Sequence, residues 1–294
     1  MTTMVLIPAK DDERWASVRT FIVAHGRNNL GVGAVWIADN LIPEGGFLLA
    51  LSDRGRWVAV GTIIEVCDTA LNSAELLVLA VGPGENAAAA LLEMVSEGER
   101  LANDGPRAAL EIALTSDLAS AEADLRDRGY RGGYSVFELR RPSTDMTSAD
   151  ISGYEVRDLS TGDVPSFYRV VREAFAGIPG VSIPNFATFG NTNLAHDPPA
   201  RLFFDGNHLA GFVRVSRGTA GVGRIELLGR NPAYRGTGLG LQLLREGVAC
   251  LRAVGSREVS LQVSGASERA LSLYRQQGFR LVRETPVLLR MLDC

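Results

Sequence analysis

In the second half of the chain, Gly153 to Leu159, Arg201 to Phe204, Leu209 to Val215 and Arg224 to Leu228 carry the near-alternating pattern of strands. Asp205-Gly206-Asn207 supplies the turn between the second and third of these. Two longer stretches follow a period near 3.6. Asp163 to Ala176 places Val164, Phe167, Val170, Val171 and Phe175 on one stripe, and Gly238 to Val254 does the same with Leu239, Leu243, Leu244, Val248 and Leu251. Strand Glu258 to Val263, helix Ser267 to Gln276 and a closing strand region Phe279 to Met291 complete the half, while Gly177 to Pro199 reads as a long irregular segment.

The first half repeats this order. Helix Asp12 to Ala24 precedes strands Phe47 to Leu51, Trp57 to Val66 and Glu75 to Val81, then helix Glu85 to Leu101, strand Ala108 to Leu114, helix Asp117 to Asp127 and strand Ser135 to Leu139. Leu125-Arg126-Asp127-Arg128-Gly129-Tyr130 stands where the second half has Leu273-Tyr274-Arg275-Gln276-Gln277-Gly278-Phe279. An ancestral duplication explains the repeat. The polar stretch Arg141 to Asp150 lies between the copies and reads as a linker. The expected fold is α/β, a mixed and mostly antiparallel sheet with helices on both faces in each of two tandem domains. The boundaries expected are 1–142, a linker at 143–152, and 153–294.

A length of 294 residues is about twice that of a typical domain, in keeping with two cores. A formal net charge of -4 gives no general attraction to nucleic acid or to an anionic membrane surface. No apolar stretch is long enough to span a bilayer and no secretion signal is legible at the start, so the expected compartment is the cytoplasm. Cys67, Cys250 and Cys294, like His25, His196 and His208, are too scattered to suggest a disulfide framework or a metal site.

The chemistry concentrates in Arg235-Gly236-Thr237-Gly238-Leu239-Gly240, which follows a strand and the turn Asn231-Pro232-Ala233-Tyr234 and opens a long amphipathic helix. Such a junction leaves backbone N–H groups unpaired at the positive end of the helix dipole, a site suited to an anion. Glycines allow close approach of a phosphate, and Arg235 adds a charge-assisted contact. Alternatively, Gly238 and Gly240 serve only a turn or tight helix packing. No Gly-Lys-Ser/Thr ends the loop, which is therefore not a P-loop, and it is a poor dinucleotide fingerprint because it follows the fourth strand of its half rather than the first.

With the motif Arg/Gln-x-x-Gly-x-Gly/Ala at Arg235, Gly238 and Gly240, Pro232 before it, and Leu273-Tyr274 followed by Gly278-Phe279, the stretch from Gly153 to Leu292 resembles the GCN5-related N-acetyltransferase (GNAT) superfamily. The resemblance implies acetyl-coenzyme A as cosubstrate, no metal, and transfer of the acetyl group to an amine in a ternary complex. Its pyrophosphate would sit on Arg235, Gly236, Thr237, Gly238, Leu239 and Gly240, and its pantetheine arm along Leu228, Gly229 and Arg230. A branched apolar residue is usual where Arg230 stands. Tyr274 is implied as the acid for the departing thiolate, or else as a core tyrosine. Glu226 is implied as the base, directly or through water, or else as a salt-bridge partner of Arg224; strand parity puts Glu226, Leu228 and Arg230 on one face. Ser267 either contacts the pantetheine or caps its helix. A backbone N–H near Leu228 to Arg230 would receive the oxyanion.

In the first half the corresponding loop is Val81-Gly82-Pro83-Gly84-Glu85-Asn86-Ala87-Ala88, without arginine, with an acidic residue and with a proline that removes an amide donor. Leu125 and Arg126 occupy the place of Leu273 and Tyr274, so this copy is expected to be non-catalytic. The tandem plan resembles that of the mycothiol synthases, in which the C-terminal copy is the active one. A small-molecule amine is the expected acceptor, with Gly177 to Pro199 shaping its site. A protein or peptide acetyltransferase and a non-catalytic acyl-CoA-binding module are the alternatives. The sequence allows a homodimer without specifying one.

Overall fold

The computed structural model describes residues 2–8, 13–29, 32–42, 47–66, 73–104, 107–143, 153–218 and 220–292. The chain divides into two compact units, one of Met1–Ser135 with Thr285–Cys294 and one of Val136–Glu284.

The first unit runs β1 (Thr2–Pro8), α1 (Glu13–His25), the short pair β2 (Asn28–Asn29) and β3 (Val32–Gly33), α2 (Ala34–Asn40), β4 (Phe47–Asp53), β5 (Arg56–Val66), β6 (Ser73–Val81), α3 (Ala87–Asn103) and β7 (Ala109–Ala113). A 3-10 turn at Ala119–Ala121 leads into α4 (Glu122–Asp127), and β8 (Arg131–Pro142) begins here. The second unit holds the rest of β8, then β9 (Glu155–Asp158), α5 (Val164–Phe175), α6 (Phe186–Leu194), β10 (Arg201–Asp205), β11 (His208–Ser216), β12 (Val222–Arg230), α7 (Leu239–Ala253), β13 (Glu258–Ser264) and α8 (Glu268–Gln276). The final strand, β14 (Arg280–Met291), starts in this unit and ends in the other.

In the second unit the strand order is β9-β10-β11-β12-β13-β8, antiparallel except between β12 and β13. Leu239, Leu243, Leu244, Val248 and Leu251 of α7 are buried against Val213, Val215 and Ile225 on one face. Gly247 of α7 admits this contact, because a Cβ there would lie 2.9 Å from Val213. Phe167, Val170 and Val171 of α5 pack with Phe189 of α6 against Leu202 and Phe212 on the other face. Ser160 and Asp163 form a capping box ahead of α5, and Arg157 grips the Asp163 carboxylate at 2.6 and 2.7 Å, so the helix start is tied to β9. The first unit repeats the plan with order β1-β4-β5-β6-β7-β14, β6 and β7 being the parallel pair.

The mixed sheet with helices on both faces is as the sequence predicts, with differences in detail. β1 and α2 were not anticipated, and the helix expected over Asp117 to Asp127 is a 3-10 turn followed by α4. The segment expected to be irregular, Gly177 to Pro199, contains α6. The boundaries expected at 142 and 153 are not those of the compact units. The closing strand of each half pairs with the other half's sheet, Val136 to Pro142 on β13 and Val287 to Met291 on β7. Of the expected linker, Arg141 and Pro142 belong to β8 and Ser143 is buried, its hydroxyl donating to Ser256 O at 2.5 Å; residues 144–152 lie outside the described residues, as do Cys67 and Cys294.

Candidate active site

The parallel pairing of β12 with β13 begins at Val222 and Glu258 and ends at Ile225 and Leu261. Beyond that point β12 stays with β11 as far as Arg230, and β13 stays with β8 as far as Ser264. The strands therefore part, and residues 226–230 and 262–264 line a wedge. The Asn231 N–H donates to Ala210 O at 2.8 Å across β11, and strand alternation then turns the N–H and C=O groups of Leu228 and Arg230 toward the wedge. Backbone donors for an oxyanion are thus available at two of the three positions expected.

At the mouth of the wedge stands the start of α7. Gly236 and Gly238 both have φ near +83°, a conformation that only glycine adopts without strain, and a Cβ on either would meet nothing within 4 Å. Conformation, then, and not crowding, requires glycine at these two places. Gly238 is the N-cap of α7 and offers no side chain to cap it. The Thr237 hydroxyl donates to Tyr234 O at 2.9 Å, which holds the loop on itself. No hydrogen bond engages the amides of Gly236, Thr237, Gly238 and Gly240 among the described residues. They form an open row of donors at a helix N-terminus.

Positive charge converges on the same place. Arg235 is exposed on the loop. Burial holds the Arg230 guanidinium below its ordinary value, and the charges of Arg235 and Arg269 press it in the same direction. Arg230 Nε is buried without a partner, as is Ser264 Oγ at the end of β13, while a Cβ on Gly240 would lie 2.9 Å from Arg230 Nη1. A buried polar atom without a partner calls for an explanation, and a ligand's polar groups in the wedge would supply one. Tyr274 of α8 is 7% exposed and packs on Phe279 at 5.9 Å between ring centroids. Burial pushes its phenol up to about 12, against the nearby positive charge of Arg230. Ser267 stands at the N-cap of α8 but its side chain makes no capping bond, contrary to the capping alternative.

Glu226 departs from the expected arrangement. The register of β11 with β12 slips between Arg214 and Val215, leaving Glu226 as an extra residue between Ile225 and Leu227. A bulge of this kind re-aims the side chain it carries. Ile225 and Leu228 face α7, whereas Leu227 faces α5, so Glu226 turns to the α5/α6 side and no longer shares a face with Leu228 and Arg230. Its partners there are His196 Nε2 at 2.9 Å and Arg214 Nε at 3.1 Å, both on Oε2. Arg224, the partner expected, donates to Gln262 Oε1 at 2.9 Å and feels the Glu226 charge. Burial alone would raise the Glu226 carboxyl, but bonds from His196 and Ser216 and the Arg214 charge outweigh it and bring it down to about 2.

The structure therefore gathers Leu228, Arg230, Arg235 to Gly240, Ser267 and Tyr274 around the wedge, with Glu226 across the sheet from Tyr274. Leu239 contributes only its backbone, since its side chain is fully buried in the core. Gly229 is explained by packing, because a Cβ there would strike the Phe212 ring at 2.5 Å. Sequence reasoning missed His196, Arg214 and Asn193; their one legible signal was that two of them fall in the segment expected to shape the acceptor site. A groove of about 840 Å³ elsewhere in this unit, near Arg140, Arg245 and Arg280, shares no residue with this site. Among the described residues no His/Cys/Asp/Glu cluster could hold a metal, and no helix is long and apolar enough to cross a membrane.

Residues 166–279 match the Acetyltransferase (GNAT) family. Over 296 residues, covering 95% of each chain, the protein is 29% identical to a mycothiol acetyltransferase of Mycobacterium sp. strain JLS. It is 28% identical to that of Geodermatophilus obscurus over 68% of this chain and 69% of the relative. Its fold is similar to that of a tandem GNAT protein from the clavulanic acid biosynthesis pathway, with a TM-score of 0.66, 15% identity and coverage of 100% and 99%. A GCN5-related N-acetyltransferase from Sphaerobacter thermophilus is similar at a TM-score of 0.59 and 20% identity, over 86% of this chain and 82% of the other.

Proposed function

We propose that this chain, a member of the GCN5-related N-acetyltransferase superfamily with the tandem two-domain architecture, moves an acetyl group from acetyl-coenzyme A to the amine of a small molecule in a ternary complex. The observation that carries this reading is the uncapped N-terminus of α7, with its open amides and three arginines, at the mouth of a wedge between two parallel strands. A pyrophosphate suits the open amides of Gly236, Thr237, Gly238 and Gly240 and the Arg235 side chain, and an extended amide-bearing arm suits the backbone groups of Leu228 and Arg230. The first copy is read as non-catalytic.

A thioester lying in the wedge has Tyr274 on one side of the sheet and Glu226 on the other. That separation matches the two ends of the reaction. As the amine nitrogen bonds to the carbonyl carbon and the C–S bond breaks, Tyr274 donates its proton to the sulfur. A phenol near 12 keeps that proton until a thiolate forms beside it, and the Arg230 charge eases its release. The N–H groups of Leu228 and Arg230 offer bonds to the oxygen that becomes negative.

The acceptor enters from the α5/α6 side and meets Glu226. A carboxyl near 2 is far too weak a base to hold the proton of an alkylammonium, whose own value is about 10. Glu226 therefore attracts and orients the amine, and the proton leaves through water. A mycothiol-type acceptor is a second reading, supported by what the relatives matching 95% and 68% of this chain are named for.

Release of free thiol from acetyl-coenzyme A, followed while a panel of small amines and mycothiol precursors is supplied, tests the proposal. Acceptor-dependent release that stops in Tyr274→Phe is the expected result. Tight binding of acetyl-coenzyme A with no acceptor-dependent release would instead indicate a binding module.

A further inference from the structure

The polar network around His196 ties the segment after α6 to the sheet. The imidazole reaches Glu226 Oε2 with Nε2 at 2.9 Å and Pro198 O with Nδ1 at 2.8 Å. Three residues earlier, Asn193 is 2% exposed, accepts from Arg214 Nη1 at 2.7 Å and donates to Phe189 O at 2.8 Å. Arg214 in turn lies 3.1 Å from the same Glu226 oxygen. One carboxylate on the bulge of β12 is thus shared by β11 and by the chain leaving α6.

A carboxylate oxygen only accepts, so Nε2 of His196 donates to Glu226 Oε2, while Nδ1 stands against the Pro198 carbonyl. With both nitrogens engaged, His196 has none to present to an acceptor, and whatever it does for the reaction passes through Glu226. Arg214 alone neutralises that carboxylate, so His196 is not needed for charge balance. What it adds is direction. A carboxylate has about four acceptor positions, and the bonds from His196 and Ser216, with the Arg214 charge beside them, leave acceptor positions for a further donor.

We infer that His196 is a positioning residue for acetyl transfer: through Nε2 it fixes the Glu226 carboxylate at Oε2 and ties residues 195–200 to the β12 bulge, leaving the carboxylate's open acceptor positions for the incoming amine. The inference rests on the reading of Glu226 as the carboxylate that meets the acceptor.

The test uses His196→Ala, His196→Gln, Glu226→Ala and the double variant, each checked for a wild-type thermal transition. His196→Ala raises the acceptor KM at least tenfold with kcat less affected, and leaves the acetyl-coenzyme A Kd within twofold. His196→Gln, whose amide still donates to the carboxylate, recovers part of the loss. The double variant loses no more than Glu226→Ala, because the two single changes remove one shared tie. Amide hydrogen exchange of residues 195–200 rises equally in both single variants. An unchanged acceptor KM in His196→Ala, or losses that add in the double variant, overturns the inference. The exchange measurement needs no acceptor. Faster exchange in His196→Ala, with a wild type that turns over no amine, sinks the functional reading alone, whereas unchanged exchange in His196→Ala sinks the tie itself.

Discussion

The starts of α3 and α7 occupy equivalent places in the two copies and are finished in opposite ways. In the first, the Asn86 side chain accepts from the amides of Ala88 and Ala89 at 2.9 and 3.1 Å, Gly82 N–H goes to Val58 O and Glu85 N–H to Gly82 O. That helix end carries its own side-chain cap. In the second, the N-cap is a glycine without a side chain, the loop is longer, and the amides of Gly236, Thr237, Gly238 and Gly240 stay open beside Arg230, Arg235 and Arg269. An anion site is a helix end left unfinished. The same logic separates the helix ends downstream. Tyr130 N–H bonds Leu125 O and Phe279 N–H bonds Tyr274 O, each at 3.0 Å, so Leu125, and not Arg126 as the sequence alignment suggests, is the counterpart of Tyr274. The first copy has a buried leucine where the second has its phenol.

The sharpest way to break this comparison is to obstruct each loop in turn. Gly238→Val forces a β-branched residue to φ +83° in the open loop and is expected to weaken acetyl-coenzyme A binding at least a hundredfold by calorimetry. Gly84→Val, at φ +81° in the closed loop, should leave that affinity unchanged. A next, smaller effect falls on chemistry. Tyr274→Phe lowers kcat at least tenfold while acetyl-coenzyme A affinity stays within twofold; equal loss of both would assign Tyr274 to packing. The smallest concerns the cap. Asn86→Ala should lower unfolding stability by about 1 kcal/mol in denaturant titrations and leave turnover untouched.

Long periodic elements such as α7 were legible because their apolar stripes are strong enough to outweigh local ambiguity. α6 was not, since Phe186-Ala187-Thr188-Phe189-Gly190-Asn191-Thr192-Asn193-Leu194 is poor in helix formers; Asn185 caps it at 3.0 Å and buried Phe189 and Asn193 hold it. In the site, the glycine loop and Tyr274 could be placed from local pattern. Glu226 could be named but not oriented, because a bulge is a property of two strands in register and parity along one strand carries no trace of it. Arg214, on the neighbouring strand and 3.1 Å from the Glu226 carboxylate, could not be read from parity along β12 either. His196 lies 30 positions from its carboxylate, and no spacing rule connects them.

The central claim is that one copy binds acetyl-coenzyme A and the other does not, and calorimetric titration of the whole chain measures it most directly. The account predicts one site per chain, abolished in Arg235→Glu. Two sites, or a single site that survives Arg235→Glu, would contradict it.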